Sequence, residues 1–226
     1  MKRIYLACIT LLAAAVQQAG AQANIDSFYK TTYYEQKTTL FRLLPDTKGE
    51  IIFLGNSITD IGEWAEIWQN PKVKNRGISG DNTFGVLARL DEVLSSKPDK
   101  IFIMIGINDI AKGTPDSVII ANHKKIYGRI AKASPATKVY VQSILPTNAD
   151  FTEFSRHQNK DGHVRYINEA LKAICASNGL TYVDLYTRFL DKAGKLDKQY
   201  TNDGLHINGY GYMLWKQILQ EKGYLK

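Results

Sequence analysis

The sequence feature that most constrains the fold of this chain is the alternation of short apolar runs with amphipathic helical stretches. Four runs have the apolar character of strands buried on both faces, as in parallel sheets: residues 50–54, 100–105, 138–145 and 180–185. A fifth strand is predicted from a weaker pattern at residues 73–75. Helical spacing of apolar residues occurs at 25–44, 83–94, 117–132, 161–176 and 210–220. Strands that alternate with helices predict one α/β domain with a five-stranded parallel sheet between two helical layers.

The first 23 residues have the organisation of a secretory signal peptide. Lys2 and Arg3 precede an apolar run at residues 4–16, and Ala21-Gln22-Ala23 supplies a small-x-small cleavage pattern. Thirteen apolar residues are too few to span a bilayer. Cys8 lies inside this run instead of ending it, which argues against a lipid anchor. We therefore expect a secreted or periplasmic domain, residues 24–226, without a stable membrane anchor.

The charge and cysteine content of that domain narrow the function classes. The whole chain carries a net charge of +7, and loss of Lys2 and Arg3 leaves 7 − 2 = +5. Because the basic residues are dispersed among acidic ones and no recognition motif accompanies them, we expect no nucleic-acid partner. Cys175 is the only thiol of residues 24–226. An intramolecular disulfide is then impossible, and Cys175 is expected to be a small buried apolar residue.

Polar residues follow the predicted strands, at the sheet edge where α/β proteins bind ligands. Ser57 follows the first strand, Gly80 the second and Asn108 the third, while Asp203 and His206 precede the last helix. Each has an ordinary alternative, because Ser caps helices and Gly, Asn and Asp form turns. An Asp three residues before a His can also hold one imidazole nitrogen and free the other as a base.

The segments that contain these residues resemble, in the same order along the chain, the four sequence blocks of the SGNH (GDSL-like) hydrolases. The resemblance extends from Ile51 to the final helix. The blocks are Gly55-Asn56-Ser57-Ile58-Thr59, Ile78-Ser79-Gly80-Asp81-Asn82, Gly106-Ile107-Asn108-Asp109 and Asp203-Gly204-Leu205-His206. Asn56 stands where the family usually has Asp. The first block therefore looks like the branch of platelet-activating-factor acetylhydrolases and bacterial sialate or carbohydrate O-acetylesterases. The resemblance implies a flavodoxin-like α/β/α sandwich. Thr59 argues against the Gly-x-Ser-x-Gly elbow of α/β-hydrolases.

The resemblance also implies a mechanism. Ser57 would be the nucleophile, His206 its general base and Asp203 the carboxylate that orients His206. The oxyanion hole would comprise the backbone N–H groups of Ser57 and Gly80 and the side-chain amide of Asn108. The implied reaction is hydrolysis of short acyl esters, acetyl above all, on a small molecule or a glycan such as sialic acid or a polysaccharide. No metal and no cofactor are implied.

Two other functions remain open at this stage. A lysophospholipase or thioesterase would use the same residues with a longer acyl channel. A non-catalytic envelope binding protein would retain the fold alone.

The sequence also predicts whether four further side chains are buried or exposed. Trp64 and Trp68 follow the serine at helical spacing and are expected in the core, whereas His123 and His163 are expected on exposed helix faces.

The loop after the fourth strand, residues 146–160, contains His157 and the aromatic residues Phe151 and Phe154. These aromatics either line a pocket or fix the loop to the core. Asp81 and Asp109 are expected to support the loops that carry Gly80 and Asn108.

Overall fold

The computed structural model describes residues 27–226 and contains a five-stranded sheet. Its strands are β1 (Ile51–Gly55), β2 (Val73–Gly77), β3 (Lys100–Met104), β4 (Lys138–Gln142) and β5 (Thr181–Val183). The strand order is β2-β1-β3-β4-β5, and every neighbouring pair is parallel. This arrangement confirms the predicted three-layer fold. The predicted signal peptide, residues 1–23, lies outside the described residues.

Eight α-helices connect and flank the strands within residues 27–226. They are α1 (Thr32–Leu43), α2 (Ser57–Asp60), α3 (Trp64–Ile67), α4 (Thr83–Val93), α5 (Ile107–Ala111), α6 (Asp116–Ala133), α7 (Asp161–Asn178) and α8 (Gly209–Glu221). None of these helices is long and apolar enough to cross a membrane.

Alternate residues of β1 enter two separate cores, because successive side chains of a strand point to opposite faces. Ile52 and Leu54 join the core formed with α4, α6 and α7. Phe53 faces the core formed with α3 and α8, where its ring stacks on Trp64 with centroids 3.9 Å apart. Trp68 is buried in the same core, so the expectation for both tryptophans is confirmed.

One predicted strand ends earlier, and one predicted helix begins later, than its apolar pattern indicates. The apolar pattern predicts that β4 reaches residue 145, but the strand ends at Gln142. The following residues stay buried because the side chain of Asn168 bonds both the N–H and the C=O of Ile144 in place of a neighbouring strand. The helix expected from residue 25 begins at Thr32, where the hydroxyl of Thr31 accepts the N–H of Tyr34 as an N-cap.

The prediction for His123 is wrong, because this side chain is buried on the inner face of α6. It lies one turn from Ile119 and Ile126 and so shares their apolar stripe. Its Nδ1 lies 2.8 Å from the hydroxyl of Tyr127, and burial lowers the pKa of His123 to about 4. His163 is exposed, and Cys175 is a buried free thiol, as expected.

Candidate active site

A continuous hydrogen-bonded chain joins Ser57, His206 and Asp203 at the carboxyl edge of the sheet. The Oγ of Ser57 lies 2.9 Å from Nε2 of His206, and Nδ1 of His206 lies 2.7 Å from Oδ2 of Asp203. Because a carboxylate only accepts, Nδ1 carries the hydrogen and Nε2 is left to accept the serine hydroxyl. This arrangement can remove the hydroxyl proton of Ser57 as that oxygen attacks an electrophile.

The turn after β1 places Ser57 at the start of α2. Oδ1 of Asn56 accepts the N–H of Ile58 at 3.1 Å and caps this helix, so Asn serves here where the family usually has Asp. The N–H of Ser57 belongs to the first turn and has no helical acceptor. Among the described residues it donates to no protein acceptor, so it is available to a ligand.

The loop before α8 fixes the orientation of Asp203 and His206. Oδ1 of Asp203 accepts the backbone N–H groups of Leu205 at 2.9 Å and His206 at 2.7 Å. Burial alone would raise the pKa of Asp203, but these N–H groups and the His206 ring outweigh burial and hold the pKa below its usual value. Gly204 has φ +80°, and a Cβ there would lie 2.4 Å from the carbonyl oxygen of Asn148. The loop therefore requires glycine at this position.

Asn108 is held against the loop of Gly80 through the carbonyl group of Asp81, the residue after Gly80. Nδ2 of Asn108 donates to the carbonyl oxygen of Asp81 at 2.8 Å, which uses one of its two hydrogens. Gly80 has φ +81°, with open space where a Cβ would stand. In the described part of the chain, its N–H has no protein acceptor. Both groups thus retain a free N–H donor for a bound oxygen atom.

Asp81 and Asp109 hold the loops that carry these donors, as expected. Oδ2 of Asp81 lies 2.9 Å from Nε of Arg89, and Oδ1 accepts the N–H of Asn82. The carboxylate of Asp109 accepts both the N–H and the hydroxyl of Thr83, the first residue of α4. Burial raises the pKa of each carboxyl to about 6, against the opposing effect of these partners.

The loop between β4 and α7 closes over the site. The ring of Phe154 contacts His206 edge to face, with centroids 4.8 Å apart, and Phe151 packs on the backbone of Gly204. The two aromatic residues therefore do both things that the sequence left open: they fix the loop and flank the site. Nε2 of His157 lies 3.0 Å from Oδ1 of Asn108.

Sequence reasoning missed two residues that position the site. Arg89 donates through Nη2 to the carbonyl oxygens of Gly55 and Arg76, at the ends of β1 and β2. Asp60, one turn after Ser57, accepts the N–H and hydroxyl of Ser79, the residue before Gly80. The available signal for Arg89 was its position within the apolar stripe of α4, where an unpaired charge would be costly.

A small apolar cavity of about 10 Å³ lies under the site. Its lining residues flank Ser57, Asn108 and His206 in sequence but include none of them: Asn56, Ile58, Met104, Ile105, Ile107, Ile144, Leu145, Pro146 and Leu205. This volume corresponds to roughly one water molecule. Within residues 27–226, no cluster of three His, Cys, Asp or Glu side chains is arranged to hold a metal ion.

Comparisons with known proteins find a matching family model and several relatives. The model of the GDSL-like lipase/acylhydrolase family matches residues 53–214. A GDSL-like lipase from Bacteroides thetaiotaomicron has a similar structure, with a TM-score of 0.71 and 26% identity over 84% of this chain and 96% of that one. Platelet-activating factor acetylhydrolase IB subunit alpha1 from Homo sapiens is 26% identical, covering 74% of this chain and 72% of the relative.

A second curated relative is a larger protein. The N-acylneuraminate cytidylyltransferase of Escherichia coli is 26% identical over 93% of this chain, which covers 48% of the relative. The chain thus spans about half the length of this relative. It spans 27% of the protein of the same name from Streptococcus agalactiae.

Proposed function

The chain belongs to the GDSL-like lipase/acylhydrolase family, and from that premise we propose that it is a carboxylic ester hydrolase that removes acetyl groups from a carbohydrate. The observation that carries the mechanism is the hydrogen-bonded chain from Ser57 through His206 to Asp203. In this mechanism an acetyl-enzyme forms on the serine and is then hydrolysed.

The first half of the reaction transfers the acyl group to the enzyme. Oγ of Ser57 attacks the ester carbonyl carbon while Nε2 of His206 takes the hydroxyl proton. Asp203 keeps Nδ1 of His206 protonated and stabilises the imidazolium that forms. The carbonyl oxygen gains negative charge and receives hydrogen bonds from Ser57 N–H, Gly80 N–H and Asn108 Nδ2. Such donors act mainly on the transition state, where that charge develops.

The second half releases the acyl group. His206 gives its proton to the departing sugar hydroxyl oxygen as the tetrahedral intermediate collapses. The same nitrogen then removes a proton from water, which attacks the acyl carbon and yields acetate and free Ser57. Every proton taken by His206 is returned, so the cycle needs no cofactor.

The names of two relatives support a short acyl group on a carbohydrate. One relative is by name an acetylhydrolase, and another is by name an enzyme of N-acylneuraminate, a sugar acid. The proposed substrate is therefore an O-acetylated sialic acid or polysaccharide. Its acetyl group corresponds to the name of the first relative and its sugar to the name of the second.

The site of action in this proposal is outside the cytoplasm. Residues 1–23 have the charge, length and cleavage pattern of a signal peptide. Expression of the full chain in a Gram-negative host, followed by fractionation and N-terminal sequencing, tests this. Mature protein that begins at Asn24 in the periplasm or medium is expected, and uncleaved cytoplasmic protein would contradict it.

The test of the mechanism uses wild-type protein and Ser57→Ala. A fluorophosphonate probe is expected to label only the wild type, and p-nitrophenyl acetate hydrolysis is expected to disappear in the variant. Ser95→Ala, at an exposed serine just after α4 that bonds Asp46, is the matched control and should behave as wild type. Wild type that is neither labelled nor active would favour a non-catalytic binding protein, whereas activity that survives in Ser57→Ala would indicate another nucleophile.

Acyl length is tested separately on p-nitrophenyl acetate and p-nitrophenyl octanoate. We expect kcat/KM to favour acetate by about tenfold or more. Higher kcat/KM on octanoate would favour a lysophospholipase or thioesterase. A panel of O-acetylated sialic acids, other sugars and xylan fragments then identifies the alcohol.

A further inference from the structure

His157, which is not one of the three hydrogen-bonded residues Ser57, His206 and Asp203, bonds directly to the side chain of Asn108. Nε2 of His157 lies 3.0 Å from Oδ1 of Asn108, while Nδ2 of Asn108 donates to the carbonyl oxygen of Asp81 at 2.8 Å. An asparagine amide has an oxygen that only accepts and a nitrogen that only donates. Each end of this amide is thus held by a group of the opposite kind.

The bond requires a defined tautomer of His157. Because Oδ1 of Asn108 accepts only, the hydrogen must reside on Nε2. Nδ1 is buried and, among residues 27–226, has no hydrogen-bond partner. An unpartnered lone pair costs less there than an unpartnered N–H of an imidazolium. Burial, followed by the nearby His206 and Arg156, lowers the pKa of His157 and favours the same neutral ring.

We propose that His157 is a positioning residue, which holds the Asn108 amide with its free Nδ2 hydrogen directed at the oxyanion. This inference rests on the proposed function, in which Asn108 stabilises that oxygen. Without the bond to His157, the amide keeps only its contact with Asp81 and can rotate away from the orientation that the transition state needs. A donor that is displaced part of the time contributes less to kcat, and substrate binding changes little.

The same short segment also reaches His206. His157 ends the 3₁₀ turn Ser155–His157, and its ring lies edge to face with Phe154, with centroids 5.9 Å apart. Phe154 in turn contacts the ring of His206. Loss of His157 could therefore act in two ways, through the Asn108 amide or through general displacement of the loop. The experiment has to separate these two.

A double-mutant cycle makes that separation. His157→Phe keeps an aromatic ring against Phe154 but removes the donor, His157→Gln keeps an N–H donor, and both are made in wild-type and Asn108→Ala backgrounds. With p-nitrophenyl acetate, we expect His157→Phe to lower kcat about tenfold with KM within twofold. This loss is below the roughly 10²–10³-fold loss of a whole oxyanion donor. His157→Gln should recover most of it, and in Asn108→Ala the phenylalanine should have no further effect.

The controls make each outcome decisive. His163→Phe changes an exposed histidine of α7 and should leave kcat unchanged. An equal loss from His157→Phe in both backgrounds, or no recovery with glutamine, would overturn the inference in favour of loop displacement. Inactive wild-type protein would instead refute the proposed function.

A measurement on the wild type covers the case in which His157→Phe does not fold. Long-range ¹H–¹⁵N spectra of histidine-labelled protein at pH 7.5 should show His157 as a neutral Nε2–H ring, assigned by the absence of its signals in His157→Gln. An Nδ1–H tautomer or an imidazolium at that position would overturn the inference.

Discussion

Arg89 and Asp81 form an ion pair 2.9 Å long in which the side chains are only 1% and 0% exposed. The pair connects α4 to the residue that follows Gly80. Arg89 also bonds the carbonyl oxygens at the ends of β1 and β2. A single guanidinium thus fixes the strand end before Ser57 relative to the loop of Gly80.

Removal of Arg89 is expected to destabilise the protein strongly. Arg89→Met leaves the buried carboxylate of Asp81 without its counterion and removes one donor from each of two buried carbonyl oxygens. Loss of one partner of a buried pair costs about 3–5 kcal/mol. Urea unfolding followed by circular dichroism measures the difference. The control is Arg129→Met, because Arg129 forms a partly exposed pair with Asp91 and should cost less than about 1 kcal/mol. Equal losses in the two variants would refute the role given to Arg89.

Replacement of Gly80 should affect turnover beyond its effect on stability. Gly80→Ala meets no atom within 4 Å, but its φ of +81° costs a non-glycine residue about 1–2 kcal/mol. The loop relieves this strain by changing φ, which redirects the N–H of residue 80. We expect kcat on p-nitrophenyl acetate to fall roughly 10²-fold.

A matched glycine is available as the control for this prediction. Gly194 has φ +76° and equally open surroundings, in a turn at residues 191–195 whose hydrogen bonds, among the described residues, involve none of the five site residues. Gly194→Ala should lose similar stability and keep its kcat. If both variants lose the same factor in kcat, the effect belongs to general destabilisation and not to the Gly80 N–H.

The sequence predicted those parts of the molecule that depend on local pattern. Apolar runs identified four of the five strands, and β2 was predicted from a weaker pattern at residues 73–75. The resemblance to a family located Ser57, Asp203 and His206 in loops that the structure brings together. Parallel strands make this possible, because their carboxyl ends necessarily meet at one edge.

What the sequence did not predict depends on contacts between distant segments. Arg89 and Asp81 are eight residues apart, but Arg89 and Gly55 are 34 apart, and His157 and Asn108 are 49 apart. No periodicity encodes such pairs. His123 was misplaced for a related reason, since its lysine neighbours indicated solvent while its spacing from Ile119 and Ile126 placed it inward.

Asp203→Asn tests the role of the carboxylate behind His206. Asparagine can still accept the N–H of Leu205 and His206, but its amide can donate to Nδ1 and so favour the wrong imidazole tautomer. We expect kcat to fall roughly 10³–10⁴-fold with a small change in KM. Asp197→Asn, at a cap that accepts the N–H of Gln199, is the control and should remain active. A loss below tenfold in Asp203→Asn would contradict the proposed mechanism.

The buried carboxyl of Asp109 should give the stability a measurable pH dependence. Burial raises its pKa in the folded state to about 6, whereas the ordinary value is 3.8. Between these two values the folded protein holds a proton that the unfolded chain releases. The contribution of Asp109 to the free energy of unfolding is therefore complete below about pH 4 and decreases as pH rises to about 6. A two-unit shift corresponds to about 3 kcal/mol.

Asp109→Asn isolates this effect, because asparagine can accept the same bonds from Thr83 without titrating. The free energy of unfolding of the variant minus that of the wild type should therefore rise between pH 4 and pH 7, by up to about 3 kcal/mol. Urea unfolding at half-unit pH steps measures this difference. For Asp91→Asn, whose carboxylate is 90% exposed, the difference should stay flat. A flat or falling difference for Asp109→Asn would show that the buried carboxyl is ionised throughout this range and that its bonds to Thr83 outweigh its burial.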